Sequence, residues 1–255
     1  MRKRLLAVAA ASTLVMFLWP SGSAEANHAW NSYHWARTAN PFTVELDDNV
    51  TSAWDSYLNT ASSDWTQSSV INTIVLQGSF GNTNCRPQTS HVEVCNSTYG
   101  NNGWLGIAQI WVSGNHITQG STKLNDTYFN TAQYNTPAWR RLVMCQEVGH
   151  TFGLAHQDEN FNNANLGSCM DYTSNPSGPP SNEHPNAHDY DQLVSIYSHL
   201  DSTNTTAPGF GGVGEVGNSP SSWGHLVSGS ATQGAGWYVR DFGNGNRVIT
   251  HVTWA

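Results

Sequence analysis

The sequence predicts an α+β domain, on three observations. Short alternating or β-branched runs recur through the first half of the 255-residue chain. Three longer segments carry apolar residues at helical spacing. A last pair of alternating runs flanks a hairpin signal near the C-terminus.

Pro41 to Asp47 alternates apolar and polar residues, the period of a half-buried strand. Asp48 to Gln67 sets Val50, Ala53, Trp54, Leu58, Ala61 and Trp65 at helical spacing, with Asp48 or Thr51 as N-cap. Val70 to Gln77 is a β-branched run and reads as a strand, and His91 to Val94 as a short one. Leu105 to Val112 is an apolar strand, and His116 to Leu124 returns beside it after a turn at Gly114-Asn115. Thr136-Pro137 opens a second helix, because Thr caps and Pro suits the first helical position; it stops near Gly153. Residues 157–186 read as loop, and Ala187 to Leu200 as a third, amphipathic helix. Ser202 to Ser222 is a Gly-rich linker by composition. Trp237–Phe242 and Arg247–Trp254 then flank Asn244-Gly245, a β-hairpin whose strands are expected to complete a sheet. The expected organisation is a domain over 27–201, a linker over 202–222 and a hairpin extension over 223–255.

Residues 1–26 read as a signal peptide. Arg2, Lys3 and Arg4 precede an apolar run from Leu5 to Trp19, and Ala24 and Ala26 form an A-x-A cleavage signal. The apolar run is short for a bilayer span of ~20 residues. Secretion to the extracellular space is therefore expected. Without those 26 residues, 7 basic and 17 acidic residues remain, a formal charge of −10. Such a chain is a poor partner for nucleic acid or an anionic membrane. A monomer is expected.

Cys85, Cys95, Cys145 and Cys169 all lie in the exported part. An even count outside the cell suggests two disulfides, with three pairings open. Cys85–Cys95 is favoured because it closes a short loop around Arg86-Pro87, and this leaves Cys145–Cys169.

The chemistry concentrates in Gln146-Glu-Val-Gly-His150-Thr-Phe-Gly153-Leu-Ala-His156. Histidines four apart on a helix reach one zinc ion, and a glutamate beside the first ligand serves as general base. This stretch resembles the metzincin zinc peptidases, H-E-x-x-H-x-x-G-x-x-H followed by a methionine turn, and within them the matrixin branch. Glu147, His150, Gly153 and His156 fall at the family spacings, and Cys169-Met170-Asp171-Tyr172 resembles the Met-turn. The resemblance spans roughly residues 28–200. It implies a twisted mixed β-sheet with an active-site helix and a C-terminal helix. It also implies hydrolysis of internal peptide bonds by a metal-activated water. His150 and His156 would bind Zn2+, Glu147 would be general base and then acid, and Tyr172 would stabilise the oxyanion. Met170 would floor the metal, and Leu105, Gly106, Ile107 and Ala108 would form the edge strand that pairs with extended substrate.

One position departs: the first ligand is Gln146 instead of His. An amide oxygen is a hard, weak donor for zinc. Three readings are open. Gln146 is a weak third ligand; or Asp158, Tyr172, His184 or His188 replaces it; or the site holds metal poorly and the protein is a secreted binding protein with an inactive site. The Asp158-Glu159 pair offers oxygen ligands to Ca2+ or caps a turn.

Overall fold

A computed structural model describes residues 28–79, 81, 83, 85–207 and 214–255. The expected signal peptide lies outside the described residues. Among the described residues no helix is long and apolar enough to cross a membrane.

The strands are β1 (His34–Trp35), β2 (Phe42–Asn49), β3 (Ile71–Gln77), β4 (His91–Ser97), β5 (Trp104–Ser113), β6 (His116–Asn125), β7 (His225–Ser230), β8 (Ala235–Gly243) and β9 (Asn246–Trp254). The helices are α1 (Asp55–Trp65), α2 (Asp126–Phe129), α3 (Pro137–His150) and α4 (Ala187–Ile196). The strands form one mixed sheet in the order β3-β2-β4-β6-β5-β9-β8-β7, with β1 paired to β6. Pairing is parallel from β3 to β6 and antiparallel from β6 to β7. The α+β class with a mixed sheet is therefore as expected.

α3 packs against α1, β5 and β6. Trp65 Nε1–H donates to the Cys145 carbonyl at 3.1 Å and so ties α1 to α3. Trp35, Trp54, Trp65, Phe152 and Met170 lie in the main core beside them. β5 is buried on both faces, which explains its nearly unbroken apolar run. Leu105 and Ile110 join the main core, while Trp104, Ile107 and Trp111 meet Trp223, Val248 and Val252 in a second one.

Several element boundaries differ from expectation. Asp48 and Asn49 continue β2, because they pair with β3 and β4. α1 accordingly starts at Asp55 with Trp54 as an unbonded N-cap, so neither Asp48 nor Thr51 caps it. α3 begins as expected, with the Thr136 side chain accepting from Trp139 N–H. Its last regular residue is His150, and Gly153 then takes φ +89°, where a Cβ would meet the Tyr33 carbonyl. α4 stops at Ile196, four residues before Leu200, and opens with a capping box between Asn186 and Asp189. β1, α2 and β7 are too short or too exposed to leave a periodic signal.

Both disulfides form as favoured, Cys85–Cys95 and Cys145–Cys169. The second fixes α3 to the Met-turn loop. The C-terminal hairpin is not a separate unit: β9 pairs with β5 from Trp104–Trp254 to Ser113–Asn246. Asn244 and Gly245 both take positive φ at its turn.

Candidate metal centre

Three imidazoles converge where one helix, one turn and one strand meet. His150 ends α3, His156 follows the Gly153 turn, and His251 lies in β9. One ring nitrogen from each lies within 4.8 Å of the other two, and all three side chains are buried. His150 and His156 approach Nε2 to Nε2 at 3.1 Å. Two Zn–N bonds of ~2.05 Å at a tetrahedral angle hold their nitrogens about 3.3 Å apart.

Each ring is oriented from outside. His150 Nδ1 lies 2.8 Å from the Leu154 carbonyl, so Nδ1–H donates and Nε2 keeps a lone pair facing inward. His251 Nδ1 lies 3.0 Å from Glu147 Oε2, and its Nε2 is buried without a hydrogen-bond partner. Burial drives the pKa of all three well below the ordinary histidine value, so the rings are neutral, the form that can bind a metal. Neutral converging imidazoles with an orphaned buried nitrogen fit a zinc ion.

Glu147 sits beside this cluster, fully buried. Its Oε1 accepts from Thr253 Oγ1 at 2.6 Å. Burial pushes its pKa up to about 7, against the opposing pull of His150 and Thr253. Gly106 makes this approach feasible: a Cβ there would fall 2.6 Å from Val143 Cγ1 and 2.7 Å from Glu147 Oε1. Met170 is buried beneath the helix, where a Cβ on Gly149 would come within 2.8 Å of its sulfur. The Tyr172 ring packs 4.1 Å from that of His156, and its burial raises the phenol pKa.

Gln146 is engaged elsewhere. Its Nε2–H donates to the Cys169 carbonyl at 2.9 Å, and its Oε1, 3.1 Å from Thr253 Oγ1, shares that hydroxyl proton with Glu147. Of the other candidates for the third position, Tyr172 packs on His156, whereas the remaining three are engaged elsewhere. His184 pairs with Asp64 at 2.6 Å, and His188 stacks on His28. Asp158 accepts from Asn160 N–H and from Asn163 Nδ2 at 2.8 Å. Among the described residues, no cluster of three or more potential ligand side chains includes Asp158 or Glu159, so Ca2+ at that pair gains no support.

Leu105, Gly106, Ile107 and Ala108 lie on β5 beside the cluster, but β5 is not an edge strand. β9 fills its outer side, with Gly106 opposite Thr253, Ile107 opposite Val252 and Ala108 opposite His251. Trp237 of β8 covers the cluster, its ring centroid 4.3 Å from His251 and 4.9 Å from His150. A cavity of about 30 Å3 remains nearby, bounded by Gln146, Tyr172, Thr253 and Trp254 among others.

His251 left no motif to read. It stands 95 residues after His156 with no fixed spacing. The available signal was strand alternation, which puts Ile249, His251 and Thr253 on one face.

No family model and no curated protein matches the chain. Among solved structures it is similar to myroilysin, at 11% identity and TM-score 0.38, covering 68% of this chain and 99% of that one. It is also similar to high choriolytic enzyme 1, a hatching-enzyme zinc-protease from Oryzias latipes, at 10% identity and TM-score 0.37. That match covers 66% of this chain and 95% of the other.

Proposed function

We propose that this protein is a secreted zinc-dependent metalloendopeptidase whose metal is held by His150, His156 and His251. The observation that carries the reading is the convergence of three buried, neutral imidazoles beside Glu147. His150, His156 and His251 would hold the zinc, which would supply Lewis acidity toward a water and the scissile carbonyl. Glu147, with a pKa near 7, takes a proton and returns it to the leaving amine. The Tyr172 hydroxyl, next to His156, donates to the developing oxyanion. In this arrangement His251 fills the ligand role that the motif assigns to position 146. Gln146 instead braces the helix against the Met-turn loop and β9.

A specific observation favours a second reading, a secreted binding protein with a silent metal centre. β9 occupies the side of β5 where an extended peptide would lie, and Glu147 is sealed from solvent. Cleavage in this state requires β8 and β9 to yield. The purified chain from residue 27, with wild-type Glu147 and with E147Q, separates the readings. Zinc in both and cleavage of an unfolded protein by wild type alone supports the peptidase. Zinc in both with no cleavage supports the silent centre. Zinc in neither sinks both.

A further inference from the structure

A second cluster of metal-ligating side chains lies outside this centre. It gathers residues from three distant parts of the chain. His34 is in β1, His116 starts β6 as the register partner of His34, and His199 and Asp201 follow α4. His34 Nε2 lies 3.2 Å from His199 Nε2 and 3.5 Å from Asp201 Oδ1. His199 Nε2 lies 3.6 Å from that same oxygen, and His116 Nε2 lies 3.3 Å from it.

We propose that His34, His199 and Asp201, with water as the fourth donor, bind a second zinc ion that staples β1 to the segment after α4. Zn–N and Zn–O bonds of ~2.0–2.2 Å place the donors of a tetrahedral site about 3.3–3.5 Å apart. The His34–His199–Asp201 triangle, with sides of 3.2, 3.5 and 3.6 Å, has the dimensions of one face of that tetrahedron.

Hydrogen bonding alone does not account for the arrangement. At 3.3–3.6 Å, three imidazole nitrogens face Asp201 Oδ1, yet all stand beyond the usual N–H···O distance. The remaining polar atoms are already committed. His34 Nδ1–H donates to the Ser32 carbonyl at 2.7 Å, so Nε2 carries the lone pair that faces His199 and Asp201. Asp201 Oδ2 accepts from Arg37 Nη1 at 2.9 Å and from Arg37 N–H at 3.2 Å, leaving Oδ1. Such outer partners orient metal ligands. Imidazoles with one carboxylate suit Zn2+, and they disfavour Ca2+ and Mg2+, which take oxygen ligands. A surface hollow bounded by Ser32, His34, Asn115 and His199 gives the ion a route in.

The test is zinc content per folded chain from residue 27, by elemental analysis after dialysis against zinc and then against buffer. Wild type is expected to hold two ions, H199A one, H251A one, and the double variant none. The His199 side chain is half exposed, so its removal spares the core, and circular dichroism confirms folding. Co2+ titration gives a second readout. H199A should lose one set of tetrahedral visible bands and weaken that site's affinity at least about tenfold. If H199A keeps the wild-type zinc count and Co2+ spectrum, the cluster is a metal-free polar network and the proposal is overturned. One ion in wild type, lost in H199A and kept in H251A, supports this site while removing the centre around His150.

Discussion

Gln146 braces α3 against the loop after it and against β9. Its position in the motif made it a candidate ligand, but its amide bonds the Cys169 carbonyl and Thr253 hydroxyl. Q146A should therefore keep the zinc of the His150 centre. It should lose about 1–3 kcal/mol of stability, the usual cost of leaving buried polar partners unsatisfied, read from chemical denaturation. Glu93 tests a different physical point. It is fully buried, and burial pushes its pKa up to about 7 although Gln88 and Asn49 amides donate to it. The native state thus binds more protons than the unfolded one between the ordinary value of 4.5 and about 7. Its contribution to stability falls as pH rises through that window. E93Q, which mimics the protonated form, should gain on the order of 2 kcal/mol relative to wild type at pH 8 and little at pH 4.5. Equal differences at both pH values, in thermal or denaturant melts, would contradict this.

At the scale of elements, the regular pieces were readable because periodicity reports burial. β2, β3, β5, β6, α3 and the β8–β9 hairpin fall where alternation or helical spacing put them. What periodicity does not report is pairing. Nothing in Leu105 to Ala108 says whether the neighbouring position on the sheet is open to a peptide or filled by residues 130 or more places later. That long-range pairing turned the expected edge strand into an interior one. The hairpin should therefore matter to the metal centre as well as to the sheet. Gly245 sits at φ +78°, and a Cβ there would make only ordinary contact, 3.6 Å from Gly114 N. G245A should cost about 1 kcal/mol through backbone strain alone, measured by denaturation. Gly106 differs, because its added methyl meets Val143 and Glu147. G106A should destabilise by about 1–3 kcal/mol, the range for overpacking, and should also weaken zinc binding by shifting β5 from α3.

At the scale of the whole molecule, the proposed centre is assembled from the middle of the chain and its C-terminal strand. α3 and the turn after it supply two imidazoles, and β9 brings the third about a hundred residues later. This is why the motif exposed most of the site but not its completion: His150, His156, Glu147 and Met170 are local, whereas His251 arrives only through sheet topology. The Cys145–Cys169 link secures the Met-turn loop to α3 across 24 residues. Replacing both cysteines with alanine should cost about 3 kcal/mol and lower the thermal midpoint of the zinc-loaded protein. The central claim is that His251 completes the metal centre. The most direct test is zinc per folded chain in wild type, Q146A and H251A. The account predicts that Q146A equals wild type and H251A holds one ion fewer. Loss of an ion in Q146A together with full retention in H251A would contradict it.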